Sequence, residues 1–338
     1  MTRSRTVVLV SMIVVAVGLM AALGALWLDP ARAAVGPLPA RGLLLPADAR
    51  FVMGFDVQRL TSGPFYAHFG KDKAMRPDAL RELEEKTGIN PARDVQQIVI
   101  AGTGAGRENP GLALVTGRFD LYKLGRTLET DGKARGYNHE GVTVYALKED
   151  GAQPLAVAFL GDDALLFGTR ERVEQAVSSS SRGEAPLRRN ASLMALLQRL
   201  RPGSTFWMVG DQSLLAGLPA SVPAPGAGGG ASITLPALRS LSVTGDLDPQ
   251  VSLSVTGEAA DEPAAKNLAD VVRGLVALVN LQAQQKPELA QLVSAVTVAT
   301  EGNRVLVSAR IPYATLEALQ AGATAARPAA PATESPVK

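Results

Sequence analysis

The chain has no cysteine, which removes disulfides, thiol nucleophiles, thiolate metal sites and a lipid-modified amino-terminal cysteine together. Histidine is nearly as scarce, with His68 and His139 the only two in 338 residues. A histidine-rich metal centre is thereby excluded, whereas a carboxylate-dominated calcium or magnesium site is not. Aromatic residues make up 4% of the chain. The core must then be built from Leu, Val and Ala, with few large rings to anchor an interface or to stack on bases and sugars.

Basic clusters are missing as well. The formal net charge is +2, and Arg3 and Arg5 supply both units, so the residues after them balance to zero (2 − 2 = 0). Nucleic acid demands a clustered Lys/Arg footprint. The nearest thing to one, Arg188-Arg189, is a bare pair before a helix and reads as solvated. No nucleic-acid partner is expected, and no cofactor motif emerges. Gly102-Thr103-Gly104-Ala105-Gly106 follows a strand pattern, but a dinucleotide loop needs two residues between its second and third glycines and a helix directly after them. Here one residue intervenes and a second strand pattern follows, so the glycines read as a hairpin loop.

What the chain does have is a long apolar start. Residues 7–28 contain Ser11 as the only clearly polar side chain, and 22 helical residues span about 33 Å, enough to cross a bilayer. Arg3 and Arg5 precede them and belong on the cytoplasmic side, which sends the rest of the chain outward. Ala31-Arg32-Ala33 matches a small-x-small cleavage site, so a removable signal peptide is the rival reading. The apolar run exceeds the ~7–15 residues of a signal core, which favours an uncleaved single-pass anchor over release to the periplasm.

The remaining chain, 46% hydrophobic and 20% charged overall, has a normal globular composition. Its length suits two domains or one duplicated domain. We expect an α+β protein: an anchor over residues 1–33, a linker over 34–44, a first unit over 45–182, a linking helix over 183–203 and a second unit over 204–322. Each unit reads as mainly antiparallel sheet with helices on one face. The same order of strand, hairpin, helix and returning strands starts near Phe51 and again near Phe206, and Val115-Thr116-Gly117 recurs as Val255-Thr256-Gly257. Where the first unit has a helix pattern over 77–86, the second has a Pro/Gly/Ala/Ser-rich stretch over 217–236, expected to be a mobile loop. Residues 323–338 have the same character and are expected to be a disordered tail.

Two phrases, Leu45-Pro46-Ala47-Asp48 and Thr87-Gly88-Ile89-Asn90-Pro91-Ala92-Arg93-Asp94 leading into a strand, resemble those of signal-anchored extracytoplasmic bacterial proteins of unknown function. The resemblance covers roughly the first half of the chain. It implies an extracytoplasmic location and an α+β character, and it brings no functional residues with it.

Three stretches are candidates for function. In the second hairpin Leu241, Val243, Val251, Leu253 and Val255 alternate with Ser242, Thr244, Ser252, Ser254 and Thr256, so one sheet face is lined with hydroxyls and can be a binding face or simply a wetted one. Phe65, Tyr66, His68 and Phe69 form the densest aromatic stretch, either a docking patch or a short helix packing its rings on the sheet. The helix expected over 261–281 is apolar over more than one stripe, as a buried helix is, or as the wall of an apolar cavity would be. Ser178 to Ser181 read as a polar loop with no base motif nearby to make a nucleophile. Together these favour a non-enzymatic, membrane-tethered extracytoplasmic protein that binds a protein or an envelope component, without a cofactor. A carrier of an apolar or lipid-like ligand is the alternative, and a hydrolase would require acid/base groups to converge in space.

Overall fold

The structure is a computed structural model that describes residues 38–69, 84–85, 88–104, 111–130, 134–147, 154–215, 221–223, 232–234, 237–283 and 287–318. The apolar stretch over 7–28, most of the helix expected over 77–86 and the tail over 323–338 lie outside these residues. Among those described, no helix is long and apolar enough to cross a membrane.

Strands β1 (Phe51–Asp56), β2 (Val95–Gly102), β3 (Gly111–Gly117), β4 (Ala134–His139), β5 (Val142–Leu147), β6 (Leu155–Phe159) and β7 (Ala164–Thr169) come from the first half of the chain. The second half supplies β8 (Phe206–Asp211), then β9 (Ser221–Pro223) and β10 (Ser232–Thr234), then β11 (Leu238–Asp246), β12 (Val251–Ala259), β13 (Val296–Glu301) and β14 (Arg304–Ile311). All but β9 and β10 join one twelve-stranded sheet in the order β4-β5-β6-β7-β3-β2-β1-β8-β11-β12-β14-β13. Every neighbouring pair is antiparallel.

That order exposes the repeat. The opening strands β1 and β8 lie side by side at the centre, and each is followed outward by its hairpin, β2-β3 or β11-β12, and then by a returning pair, β7-β6 or β14-β13. Among the described residues the β4-β5 hairpin has no counterpart in the second half's share of the sheet. The two units therefore share one sheet and one set of ladder hydrogen bonds. The β2-β3 pairing, with Gly102 opposite Gly111, agrees with the hairpin reading of the glycine-rich stretch.

The helices are α1 (Val57–Ser62), α2 (Pro64–Phe69), α3 (Pro91–Asp94), α4 (Leu121–Thr130), α5 (Arg170–Ser181), α6 (Ala191–Arg199), α7 (Gln212–Leu215), α8 (Glu262–Ala283) and α9 (Pro287–Ser294), with a last helical stretch over 313–318. Side-chain caps start several of them where the sequence places a short polar residue; on α4, α6 and α8, Lys123 N–H donates to Asp120 Oδ1, Leu193 N–H to Asn190 Oδ1 and Ala264 N–H to Asp261 Oδ1, at 2.9, 3.0 and 2.8 Å. Each such cap is worth about 1 kcal/mol.

Four expectations are corrected. Helices cover both faces of the sheet, because strands such as β2 carry Ile98, Val99 and Ile100 in succession and need apolar partners on either side. On the front face, Val173 and Val177 of α5 and Leu193 and Leu197 of α6 pack over Val52, Val99, Leu114, Leu166 and Val209. On the back, Leu124 of α4 packs with Ile98 and Val115, and Ala265, Leu268 and Ala269 of α8 pack on Val305. The linker drawn over 34–44 is partly folded: Ala40–Leu44 form a 3-10 turn, and Leu44 is buried. Within the stretch expected to be a mobile loop, β9 and β10 pair into a two-stranded ribbon, and the rest of that stretch lies outside the described residues. Ser178 to Ser181 are the last turn of α5, not a loop. Strand β4 and helix α9 are additions that the residue pattern did not suggest.

Candidate functional site

The register turns the five hydroxyl residues of the second hairpin into part of a larger surface. One transverse row runs through all twelve strands: Tyr137, Val144, Ala158, Leu166, Leu114, Val99, Gly54, Trp207, Thr244, Ser254, Ser308 and Thr297. From Val144 to Trp207 the row is buried, beneath α5 and α6. From Thr244 to Ser308 it is half-buried, and Thr297 is exposed. Hydroxyls occupy the last four strands in succession, at the ~4.8 Å spacing of a sheet. Thr297 Oγ1 and Ser308 Oγ are hydrogen-bonded at 2.8 Å.

The neighbouring rows extend this platform. Ser242 lies opposite Thr256, which lies opposite Leu306; Ser252 lies opposite Arg310. All five hydroxyl residues singled out in the sequence, Ser242, Thr244, Ser252, Ser254 and Thr256, thus share the front face. Among the described residues no helix packs on this platform, for a topological reason. After β7 the chain enters α5 on the front face, but after β14 the stretch 313–318 takes Tyr313 and Leu316 to the back, against Phe55 and Phe206. The first unit's front face therefore has a helical roof that the second unit's lacks among the described residues.

Trp207 marks the boundary. Its indole lies across Gly54 on the adjacent strand, where any Cβ would fall inside the ring. Glycine at that position is thus a packing requirement.

The aromatic stretch is a different case. Phe65 and Phe69, on α2, have ring centroids 4.9 Å apart and meet the Tyr313 ring at 6.0 and 5.8 Å. Phe65 N–H donates to Asp248 Oδ1 at 3.1 Å, and Tyr313 OH donates to the same carboxylate. His68 Nδ1 lies 2.9 Å from Pro64 O, within its own helix, and its ring is 5.7 Å from Tyr313. These rings join the first unit's α2 to the second unit's end, with Tyr66 half-buried beside them. Their contacts are those of a ring cluster packing two parts of the fold together.

A polar network that the sequence reading missed lies where β4 meets α5. His139 Nε2 is 3.0 Å from Ser178 Oγ, and Ser178 Oγ donates to Glu140 Oε1 at 2.9 Å. Arg182 donates to the same carboxylate oxygen at 2.9 Å. Alongside, Tyr137 OH donates to Glu174 Oε1 at 2.5 Å and Arg170 Nε at 2.9 Å. The serine and histidine therefore do converge, but not as a nucleophile and its base. The single hydroxyl proton of Ser178 is given to the Glu140 carboxylate and not to His139. Ser178 also sits inside a helix, where its amide belongs to the helical ladder and offers no oxyanion donor.

This network sets the protonation of its members. The Ser178 hydroxyl, followed by Arg182, holds the Glu140 carboxyl below the usual glutamate range despite some desolvation. Burial pushes the Glu174 carboxyl up, but the bonds from Tyr137 and Arg170 together outweigh it and hold it low. Burial and the Glu174 carboxylate push the Tyr137 phenol up. Glu140 has φ 49°, the one left-handed non-glycine among the described residues, and Gly141 follows at φ 86°. A glutamate in that conformation costs about 1–2 kcal/mol. Its bonds to α5 offset that cost and tie the hairpin tip down.

His139, Glu174 and Ser178 of the network line a cleft of about 580 Å³, together with Arg172, Arg182, Arg189, Asp48 and Glu171 and with apolar side chains such as Leu44, Leu112 and Pro186. Arg172 grips Asp48 through both nitrogens, at 2.8 and 2.5 Å. Arg182 pairs with Glu140, and Arg189 with Glu184 at 3.3 Å. The arginines are thus met by carboxylates, and the lining is charge-balanced. Among the described residues no group of three or more His, Asp or Glu side chains is placed to hold a metal ion.

The two phrases that carry the sequence resemblance have structural roles. Leu45 is fully buried, Asp48 meets Arg172, and Asn190 Nδ2 donates to Ala47 O and Ala49 O at 2.9 Å each. Asn90 caps α3 by accepting from Ala92 N–H at 3.1 Å, and Asp94 accepts from Asn90 N–H and from Arg93, at 2.7 Å each.

No protein-family model matches this chain, and no curated protein matches it. Solved structures to which it is similar include crystal forms of TP0453. Form III has a TM-score of 0.48 at 11% identity, over 86% of this chain and 99% of that one. Form IV has a TM-score of 0.46 at 10% identity, over 85% and 97%. Similarity at this level carries no inference about function.

Proposed function

We propose that the chain is a non-enzymatic binding protein whose recognition surface is the hydroxyl platform on the front of the second unit, centred on Thr244, Ser254, Ser308 and Thr297. The observation that carries this reading is the change of chemistry along one sheet row, from roofed Val and Leu to unroofed Ser and Thr. Hydroxyls that both donate and accept suit a partner rich in backbone and side-chain amides. Among the described residues the platform carries no exposed ring to stack on a sugar and no basic cluster for nucleic acid or anionic lipid, which leaves a protein as the partner. Residues 1–33 tether this body to the membrane from the cytoplasmic side and hold it outside the cytoplasm, where that partner resides.

A carrier for an apolar ligand has weaker support. The first half of α8, which would wall its cavity, packs Ala265, Leu268 and Ala269 directly on the sheet.

The test is site-specific photo-crosslinking in cells, with the photoreactive residue at position 254 or 308 and a control at exposed Tyr122, which is on α4. A discrete adduct from 254 and 308 but not from 122 is expected. Equal labelling at all three positions, or none at 254 and 308, would overturn the proposal.

A further inference from the structure

Most of the platform is uncharged, so the few charges on it decide what it accepts. The register places Asp246, Glu258, Glu301, Arg304 and Arg310 on this face. All but the last have partners within the chain. Asp246 is buried and accepts from Thr205 N–H at 2.6 Å, Glu258 meets Arg199 at 3.4 Å and Ser240 Oγ at 3.2 Å, and Arg304 pairs with Glu301 at 3.1 Å. The Arg310 side chain is exposed, and among the described residues its guanidinium has neither a hydrogen bond nor an ion pair.

Arg310 lies opposite Ser252, one pleat repeat along the strands from the row of Thr244, Ser254, Ser308 and Thr297. Two residues of strand span about 7 Å, which keeps the guanidinium beside anything laid on those hydroxyls. A hydroxyl donates or accepts with equal ease and discriminates little between partners. An arginine covered by a partner loses its water, and without a counter-charge that desolvation is uncompensated. A carboxylate matches its planar fork with two parallel hydrogen bonds. A bilayer surface or a nucleic acid is held by several cations together and not by one.

We infer that Arg310 sets the specificity of the platform, and that the partner protein presents an Asp or Glu side chain to it beside the groups that meet Ser254 and Ser308. This rests on the recognition role proposed above and adds the chemistry of the partner. With Glu258 answered by Arg199 and Glu301 by Arg304, Arg310 leaves the face with an unbalanced positive charge. An acidic partner surface is complementary to it, and a basic one is turned away. A neutral partner that covers the platform buries the guanidinium without compensation.

The test repeats photo-crosslinking from position 254 in cells, with the full chain as parent and with Arg310→Glu, Arg310→Lys and Arg135→Glu. The last makes the same change of charge at an exposed position of β4, on the far edge of the sheet. Circular dichroism of each purified chain should match the parent's, since both arginines are exposed. Arg310→Glu is expected to lower the protein adduct per chain by about tenfold or more. Arg310→Lys, which keeps the charge but not the fork, should give an intermediate yield, and Arg135→Glu should match the parent. An undiminished adduct in Arg310→Glu, or an equal fall in Arg135→Glu, would overturn this inference and leave the recognition reading standing. Absence of a protein adduct from the parent, or an adduct to lipid in its place, sinks both.

Discussion

Gly54 is where individual side chains decide most about this molecule. It faces Trp207, the last ring before the hydroxyl platform, and has no room for a methyl group. Gly54→Ala must push the indole aside at the junction of the two units, and such overpacking costs about 1–3 kcal/mol. The expected outcome is a fall in the urea midpoint with unchanged slope, whereas Gly141→Ala, whose Cβ meets nothing within 4 Å, acts only through its left-handed backbone. An unchanged midpoint in Gly54→Ala would remove Trp207 as the wedge between roofed and unroofed halves. Neither role was legible beforehand. A glycine within a strand pattern suggests close approach, but not to a ring 153 positions later.

Among the elements, α5 ties several distant parts of the chain together. Its Arg172 holds Asp48 after the first turn, and its Glu174, Ser178 and Arg182 hold β4 and the turn at Glu140. The hydrogen bond from Arg172 holds the Asp48 carboxyl below the ordinary aspartate range. A carboxyl with a lowered folded-state pKa binds protons more readily when unfolded. Its stabilisation is therefore full above the ordinary aspartate value and is lost as pH falls through the lower, folded value. Asp48→Asn should flatten the stability profile below about pH 4, read as Tm against pH; a profile as steep as the parent's would remove Asp48 from the acid response. The i,i+4 spacing of Arg170 and Glu174 was visible in the sequence, but their link to Tyr137 was not, since β4 has little of the alternation that marks a strand.

For the molecule as a whole, the recurring order of elements builds one shared sheet and not two tethered domains. β1 and β8 pair at the centre over five residues, with Phe55 and Phe206 stacked at 5.9 Å on the back. Separation of the units exposes two long central strands, each an open edge rich in apolar residues. Expressed alone, residues 45–203 or 204–322 should be aggregated by size-exclusion chromatography, and co-expression should recover a soluble pair. A stable monomer from either half would show that the central pairing is dispensable.

Much of the element order was written in local pattern. Alternating Ser/Thr and Val/Leu in β11 and β12, the capping residues Asp120, Asn190 and Asp261, and the repeated strand, hairpin and helix all follow from period and propensity, which are properties of neighbours in the chain. The hydroxyl residues were found for the same reason: a period of two sends them to one face wherever the strand lies. Their meaning depended on contacts across tens to hundreds of positions. The row from Tyr137 to Thr297, the roof of α5 over one half of it and the diversion of residues 313–318 to the back are set by strand order and register. No local pattern encodes these, because they arise from which apolar surfaces find each other when the whole chain closes.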